Sequence, residues 1–203
     1  MAYLVLDLEM TGPDPHFHDF IQIGAILTDD KWNMIDEFET LVYPDNEDAY
    51  SFYAQRIHGL SIHDLYEAPA SYEALEILED WIIEKIAHNR RNLKHVVIAG
   101  QSIFNDISFL RAKYLRHKMD WPYAYKMLDL INIAFVFYKI FDANNIPRPK
   151  YYNLDAIANI FGIKRNSQTH NALEDARLTF LCFKEFFNLM QKTVLDFEPK
   201  NNV

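Results

Sequence analysis

Cysteine is almost absent from this chain. One residue of that type, Cys182, stands among 203, which excludes an internal disulfide and suits a reducing, cytoplasmic setting. Cys182 lies in an apolar helical stretch, where it reads as core filler rather than as a reactive thiol. No apolar run approaches the roughly 18 residues that a membrane helix needs, so no membrane partner is expected. The first strand begins almost at once, with no basic segment ahead of it, so no signal peptide is expected. Repeats, low-complexity tracts and convincing linkers are also missing. Residues 1–195 therefore read as one domain and 196–203 as a polar tail. Half of the residues are hydrophobic and 15% are aromatic, a composition for a packed core rather than for disorder.

Positive charge is scarce at the start. Residues 1–50 hold one Lys or Arg against twelve Asp or Glu, and the net charge of the chain is -9. Such a balance argues against a long duplex grip. Residues 111–203 reverse it, with fourteen basic side chains against nine acidic ones. An acidic centre that loads cations can lie beside a basic surface that holds phosphates.

The most informative stretch is Leu4-Val5-Leu6-Asp7-Leu8-Glu9-Met10-Thr11-Gly12. Its branched apolar residues, closed by Thr-Gly, predict a buried strand. Residues two apart on a strand share a side, so Asp7 and Glu9 present two carboxylates on one face, about 6 to 7 Å apart. Two buried, unpaired like charges are very costly. A divalent ion held by oxygen ligands would offset them; an edge strand with two solvated acids is the bland alternative.

Further along, Phe20–Leu27 predicts a second strand and Asn33–Tyr43 a third, an antiparallel meander. Short helical pieces are expected over 49–57 and 61–66, the latter with a Ser61/Asp64 capping box. Leu75, Leu78, Ile82 and Ile86 predict an amphipathic helix that starts at Ser71. His95–Ala99 predicts a buried strand, 104–118 a helix, Tyr125–Leu130 a short strand and 131–141 an aromatic-rich helix. Asn153 is placed to cap a helix over Leu154–Phe161, and a last helix runs from Asn171 to Lys192. Meander, helix–strand units and helices together make an α/β fold: a mixed sheet flanked by helices.

Two further acids extend the pattern. Asp106 follows a strand end, Ala99-Gly100-Gln101-Ser102, where open α/β sheets bind ligands; it also fits a simple role at a helix dipole. In Thr169-His170-Asn171-Ala172-Leu173-Glu174-Asp175, five residues separate His170 from Asp175, too far around one helix to share a face. If Asn171 caps the helix, Asp175 faces inward from the first turn and His170 leans over it from the loop. A loop histidine without a task is the alternative. Asp7, Glu9, Asp106 and Asp175 together formally neutralise two divalent cations, and all-oxygen ligation favours Mg or Mn. Two such ions form a phosphoryl-transfer clamp. His170 would supply a proton acceptor near neutral pH.

These motifs, Asp7-x-Glu9, Asp106, and His170 with Asp175, resemble the DEDD-type 3′→5′ exonucleases of the histidine subclass. Asp7-Leu8-Glu9-Met10-Thr11-Gly12, Asp14-Pro15 and Ala99-Gly100-x-Ser102 are similar to oligoribonuclease. His58-Gly59-Leu60-Ser61 and His170–Ala176 are similar to ribonuclease T and polymerase proofreading subunits. The resemblance implies a ribonuclease H-like fold with a mixed five-stranded sheet. It implies metal ligation by Asp7, Glu9, Asp106 and Asp175, His170 as general base, and release of nucleoside 5′-monophosphates from single-stranded or short RNA or DNA. It also implies that Met10 and Thr11 seat the terminal nucleotide, that Met10, Ile103 or Phe104 stack on the last bases, and that the chain forms a homodimer. Phe104 as a core residue and His58 as a turn cap stay open, as does Asp129 as a helix cap. The aromatics of 135–141 fit either the core or a dimer face. Two other functions compete: a non-catalytic nucleic-acid or protein-binding module on the same fold, and a small-nucleotide phosphoesterase. The complete set of four acids with His170 argues against the first.

Overall fold

The computed structural model describes residues 2–166 and 169–192; the expected tail at 196–203 lies outside them. Five strands form one sheet in the order β3-β2-β1-β4-β5. They are β1 (Ala2–Met10), β2 (Phe20–Thr28), β3 (Met34–Leu41), β4 (Val96–Gly100) and β5 (Met127–Asp129). The first three pair antiparallel, as the meander predicts. β4 pairs parallel with β1, and β5 parallel with β4. This is the mixed, ribonuclease H-like sheet expected from the sequence.

The helices divide between the two faces. They are α1 (Phe52–His58), α2 (Ser71–Ile82), α3 (Phe104–Arg116), α4 (Leu130–Ala143), α5 (Leu154–Ile160) and α6 (Ala172–Lys192). Strand alternation in β1 decides what each face receives. Leu4, Leu6 and Leu8 pack with Leu75 and Leu78 of α2 and Leu110 of α3. Val5 packs on the other side with Leu130 of α4, Ile157 of α5 and Phe183 of α6. Each such fully buried aliphatic side chain contributes about 1.5–3 kcal/mol. Asp7 and Glu9 fall on the side of Val5, beyond the point where this second core ends.

Local signals set most boundaries. Ser61 and Asp64 close the expected box, with the Ser61 N–H donating to Asp64 at 2.7 Å. Asn153 accepts the Ala156 N–H at 2.9 Å and Asn171 that of Glu174 at 2.9 Å. The segment expected as one helix over 49–57 divides into a 3-10 turn at Glu47–Ala49 and α1, because Ser51 caps the latter. The helix from Ser71 ends in a π-helical turn, Ile83–Ala87. Phe137, Tyr138 and Phe141 of α4 are core, whereas Phe135 and Val136 are half-exposed. Cys182 is buried, and burial pushes its thiol up to about 12, consistent with core filler.

Among the described residues, no helix is long and apolar enough to cross a membrane.

Candidate active site

The site is built where β1 outruns its parallel neighbour. The β1–β4 register ends at Val5 and Ala99, and Gly100 lets the chain turn away. A Cβ at Gly100 would lie 2.4 Å from Ile103 and 2.7 Å from the Leu6 carbonyl. The turn feeds α3, whose first-turn Asp106 reaches back and accepts the Leu8 N–H at 3.0 Å. A side chain thereby replaces the strand partner that β1 lacks, and Asp106 is fixed beside Asp7. Its role exceeds that of a dipole complement. Asp129 caps α4 through the Ile131 N–H (2.9 Å) and also holds the turn through the N–H groups of Ser102 and Ile103.

α6 supplies the other half. Asp7 pairs across the sheet with Gly24, and a Cβ at Gly24 would come within 2.1 Å of the Ala172–Leu173 backbone. Glycine at this point admits the start of α6 directly over the sheet. Gln22 accepts the Ala172 N–H at 3.1 Å, and Asn171 donates to Glu39 at 2.8 Å. So docked, Asp175 is buried and faces inward. His170 leans over it, with Nδ1 2.9 Å from Asp175 Oδ2. The His170 N–H donates to the Ile57 carbonyl at 3.1 Å, which ties the loop to α1. Glu174 accepts the Asn166 N–H and thereby fastens the loop to the helix.

The four acids therefore converge. Asp7, Glu9, His170 and Asp175 line one cavity of about 600 Å³, together with Tyr151, Tyr152 and Arg165. Asp106 is not among the lining residues but is buried next to them, on the Leu8 N–H. Burial raises the Asp7 carboxyl well above the usual range, and the neighbouring Asp106, Asp175 and Glu9 charges raise it further. Burial, then Asp175, pushes Glu9 up to about 7. Burial also raises Asp106. The His170 imidazole is raised by its hydrogen bond to Asp175. Acids held so far from their ordinary range mark a site that lacks enough positive charge of its own.

A divalent cation fits this deficit. Glu9 Oε1 is buried and has no hydrogen-bond partner, a costly state for a carboxylate oxygen. Ligand atoms of Glu9, His170 and Asp175 lie within 4.8 Å of one another. Asp7 lines the same cavity, and the Asp106 charge acts on it from close by.

The residues expected to seat a substrate distribute unevenly. Met10 and His58 line a second cavity of about 310 Å³ next to Glu9. His58 is buried, and its Nδ1 accepts the Leu60 N–H at 3.1 Å, so it caps a turn and faces this cavity as well. Phe104 is 68% exposed at the start of α3 and so is not core. Two expectations need correction. Ile103 is fully buried in the core beneath Gly100, because the tight turn drives its side chain inward; it offers no surface for a base. Thr11 is also fully buried, its hydroxyl accepts the Asp19 N–H at 3.0 Å, and it lines neither cavity.

Sequence reading missed Arg165. Its guanidinium pairs with Asp175 Oδ1 and lies 3.4 Å from Asp155. The available signal was the cationic pair Lys164-Arg165, the arginine five residues before His170, in a chain whose acids needed a counter-charge.

Comparison with known proteins agrees with this fold. The family model described as Exonuclease, RNase_T, matches residues 4–183. Similar curated proteins include the PolC-type DNA polymerase III of Thermotoga petrophila, 29% identical over 193 residues that span 94% of this chain and 12% of that one. They also include the oligoribonuclease of Corynebacterium diphtheriae, 31% identical over 131 residues, 63% of this chain and 61% of that one. This chain thus spans about an eighth of the length of the polymerase relative. Among solved structures, Escherichia coli exonuclease I in complex with a dT13 oligonucleotide superposes with a TM-score of 0.76 at 19% identity, over 94% of this chain and 43% of that one. The nuclease domain of 3′hExo, a DEDDh family member bound to rAMP, superposes with a TM-score of 0.72 at 18% identity, over 94% and 92%. At such identities the superpositions speak for the fold. With the family model spanning most of the chain, the protein belongs to the RNase_T exonuclease family.

Proposed function

We propose that this chain is a metal-dependent 3′→5′ exonuclease that releases nucleoside 5′-monophosphates from the 3′ end of single-stranded or short RNA or DNA. The observation that carries the reading is the orphaned, buried Glu9 Oε1 amid Asp7, Asp106 and Asp175, beside an imidazole oriented by one of those acids. Asp7, Glu9, Asp106 and Asp175 would hold two divalent ions, Mg or Mn, by oxygen ligation. When bound, such a pair supplies a nucleophile at neutral pH and charge stabilisation for the departing oxygen.

The chain's own residues do the rest. Asp175 holds His170 through Nδ1, which leaves Nε2 as proton acceptor for the attacking water. Leu8 N–H fixes the Asp106 carboxylate, so one donor is oriented before any ion arrives. Met10 and His58 border a small, largely apolar recess beside Glu9, suited to a terminal nucleoside. Exposed Phe104 offers a stacking face for an unpaired base. A duplex end would need to fray to use these surfaces, which favours single strands.

The test is one digestion series with wild type and Asp7→Asn. RNA and DNA, each labelled at the 3′ or the 5′ end, are offered as dinucleotides, short oligomers and longer strands, with Mg, Mn or chelator. The expected result is stepwise shortening from the 3′ end in the wild type with either ion. Neither chelator-treated protein nor the folded variant should shorten the strands. Oligonucleotide binding without metal-dependent turnover would favour the non-catalytic module. Phosphate release from mononucleotides, with polymers untouched, would favour the phosphoesterase.

A further inference from the structure

Both oxygens of Asp175 are already engaged. His170 Nδ1 holds Oδ2 at 2.9 Å, and the Arg165 guanidinium holds Oδ1. Yet Asp175 is one of the acids the proposed metal site requires. Among the described residues that line the main cavity, Arg165 is the one fixed cation, and its side chain is largely buried there. Its Nε lies 3.4 Å from Asp155 on α5, whose side chain is well exposed. The guanidinium therefore bridges one acid inside the site and one at its rim.

We propose that Arg165 is a built-in counter-ion that a divalent cation must displace from Asp175, so that Arg165 sets the metal concentration at which the site loads. The inference rests on the two-ion reading of the acids. Arginine cannot yield its proton to make room, so loading requires the whole group to move. Asp155 gives it a destination: rotation about the outer side-chain torsions keeps one ion pair while the other opens. With the ion absent, the same contact offsets part of the repulsion among the buried acids. Arg165 thus works against ion binding twice, by occupying a ligand oxygen and by adding positive charge where the ion must sit.

The experiment titrates MnCl2 calorimetrically into the metal-free full chain, as wild type, Arg165→Gln and Arg165→Lys, without nucleic acid. Thermal unfolding is followed in parallel with chelator and with Mn. Arg165→Gln is expected to bind Mn about tenfold tighter, which is a modest change of coupling. It should also melt lower than wild type in chelator and gain more on Mn addition. Arg165→Lys, which keeps the charge but not the fork, should fall between them and serves alone if the glutamine variant does not fold. Equal or weaker Mn binding by the variants, beside clear binding by wild type, would overturn the role of Arg165 and leave the metal site standing. Absence of Mn binding in every protein would overturn both.

Discussion

Glu9→Gln isolates the cost of building this site. Glu9 is 7% exposed, and burial beside Asp175 moves its carboxyl from 4.5 to about 7. The native state therefore holds that proton more tightly than the unfolded chain does. Stability from this group is fully present below the ordinary carboxylate range and is lost as pH rises through about 7. At about 1.4 kcal/mol per tenfold, the loss amounts to roughly 3 kcal/mol by pH 8. The glutamine keeps the shape and never ionises. In chelator, wild type and variant should unfold at similar urea concentrations near pH 4. Near pH 8 the inactive variant should be the more stable by about that amount. Adding Mn should restore wild type, because ligand binding to the native state stabilises it, and should restore the variant far less. Parallel stability–pH curves for the two proteins in chelator would refute the reasoning, since Glu9 would then carry no buried charge penalty.

Other outcomes follow from particular contacts. Lys113 is buried between Asp19 and Asp45, 2.7 Å from the latter; Lys113→Met should cost about 3–5 kcal/mol by stranding the buried Asp19 carboxylate. Urea denaturation checks this, and Lys113→Arg should recover part of the loss. His170→Gln should lower kcat by about a hundredfold to ten-thousandfold while Mn binding persists by calorimetry. In the wild type, turnover should rise with pH through a value above 6.5, because the Asp175 hydrogen bond raises the His170 imidazole and a base must be neutral to act; a flat profile would count against His170.

How much was legible beforehand depends on how local each signal is. Strand alternation in Leu4–Met10 and the cap at Asn171 are read within a few residues, so Asp7, Glu9, His170 and Asp175 could be named as one chemistry from the chain alone. The interior of Ile103 could not, because it depends on a turn at Gly100 pressed against the Leu6 carbonyl. Nor could the engagement of Thr11 by Asp19, a contact eight residues away across a turn.

The sequence by itself determined that buried acids lie on a strand, that a histidine precedes a capped helix, and that the sheet is mixed, since periodicity, capping and turn chemistry act over short stretches. Only the tertiary structure decided that these acids meet and that Gly24 lets α6 ride over the strand beside Asp7. The same holds for the seating of Arg165 on Asp175. Those facts depend on how close distant segments approach, and close approach is fixed by packing between faces rather than by any stretch of chain.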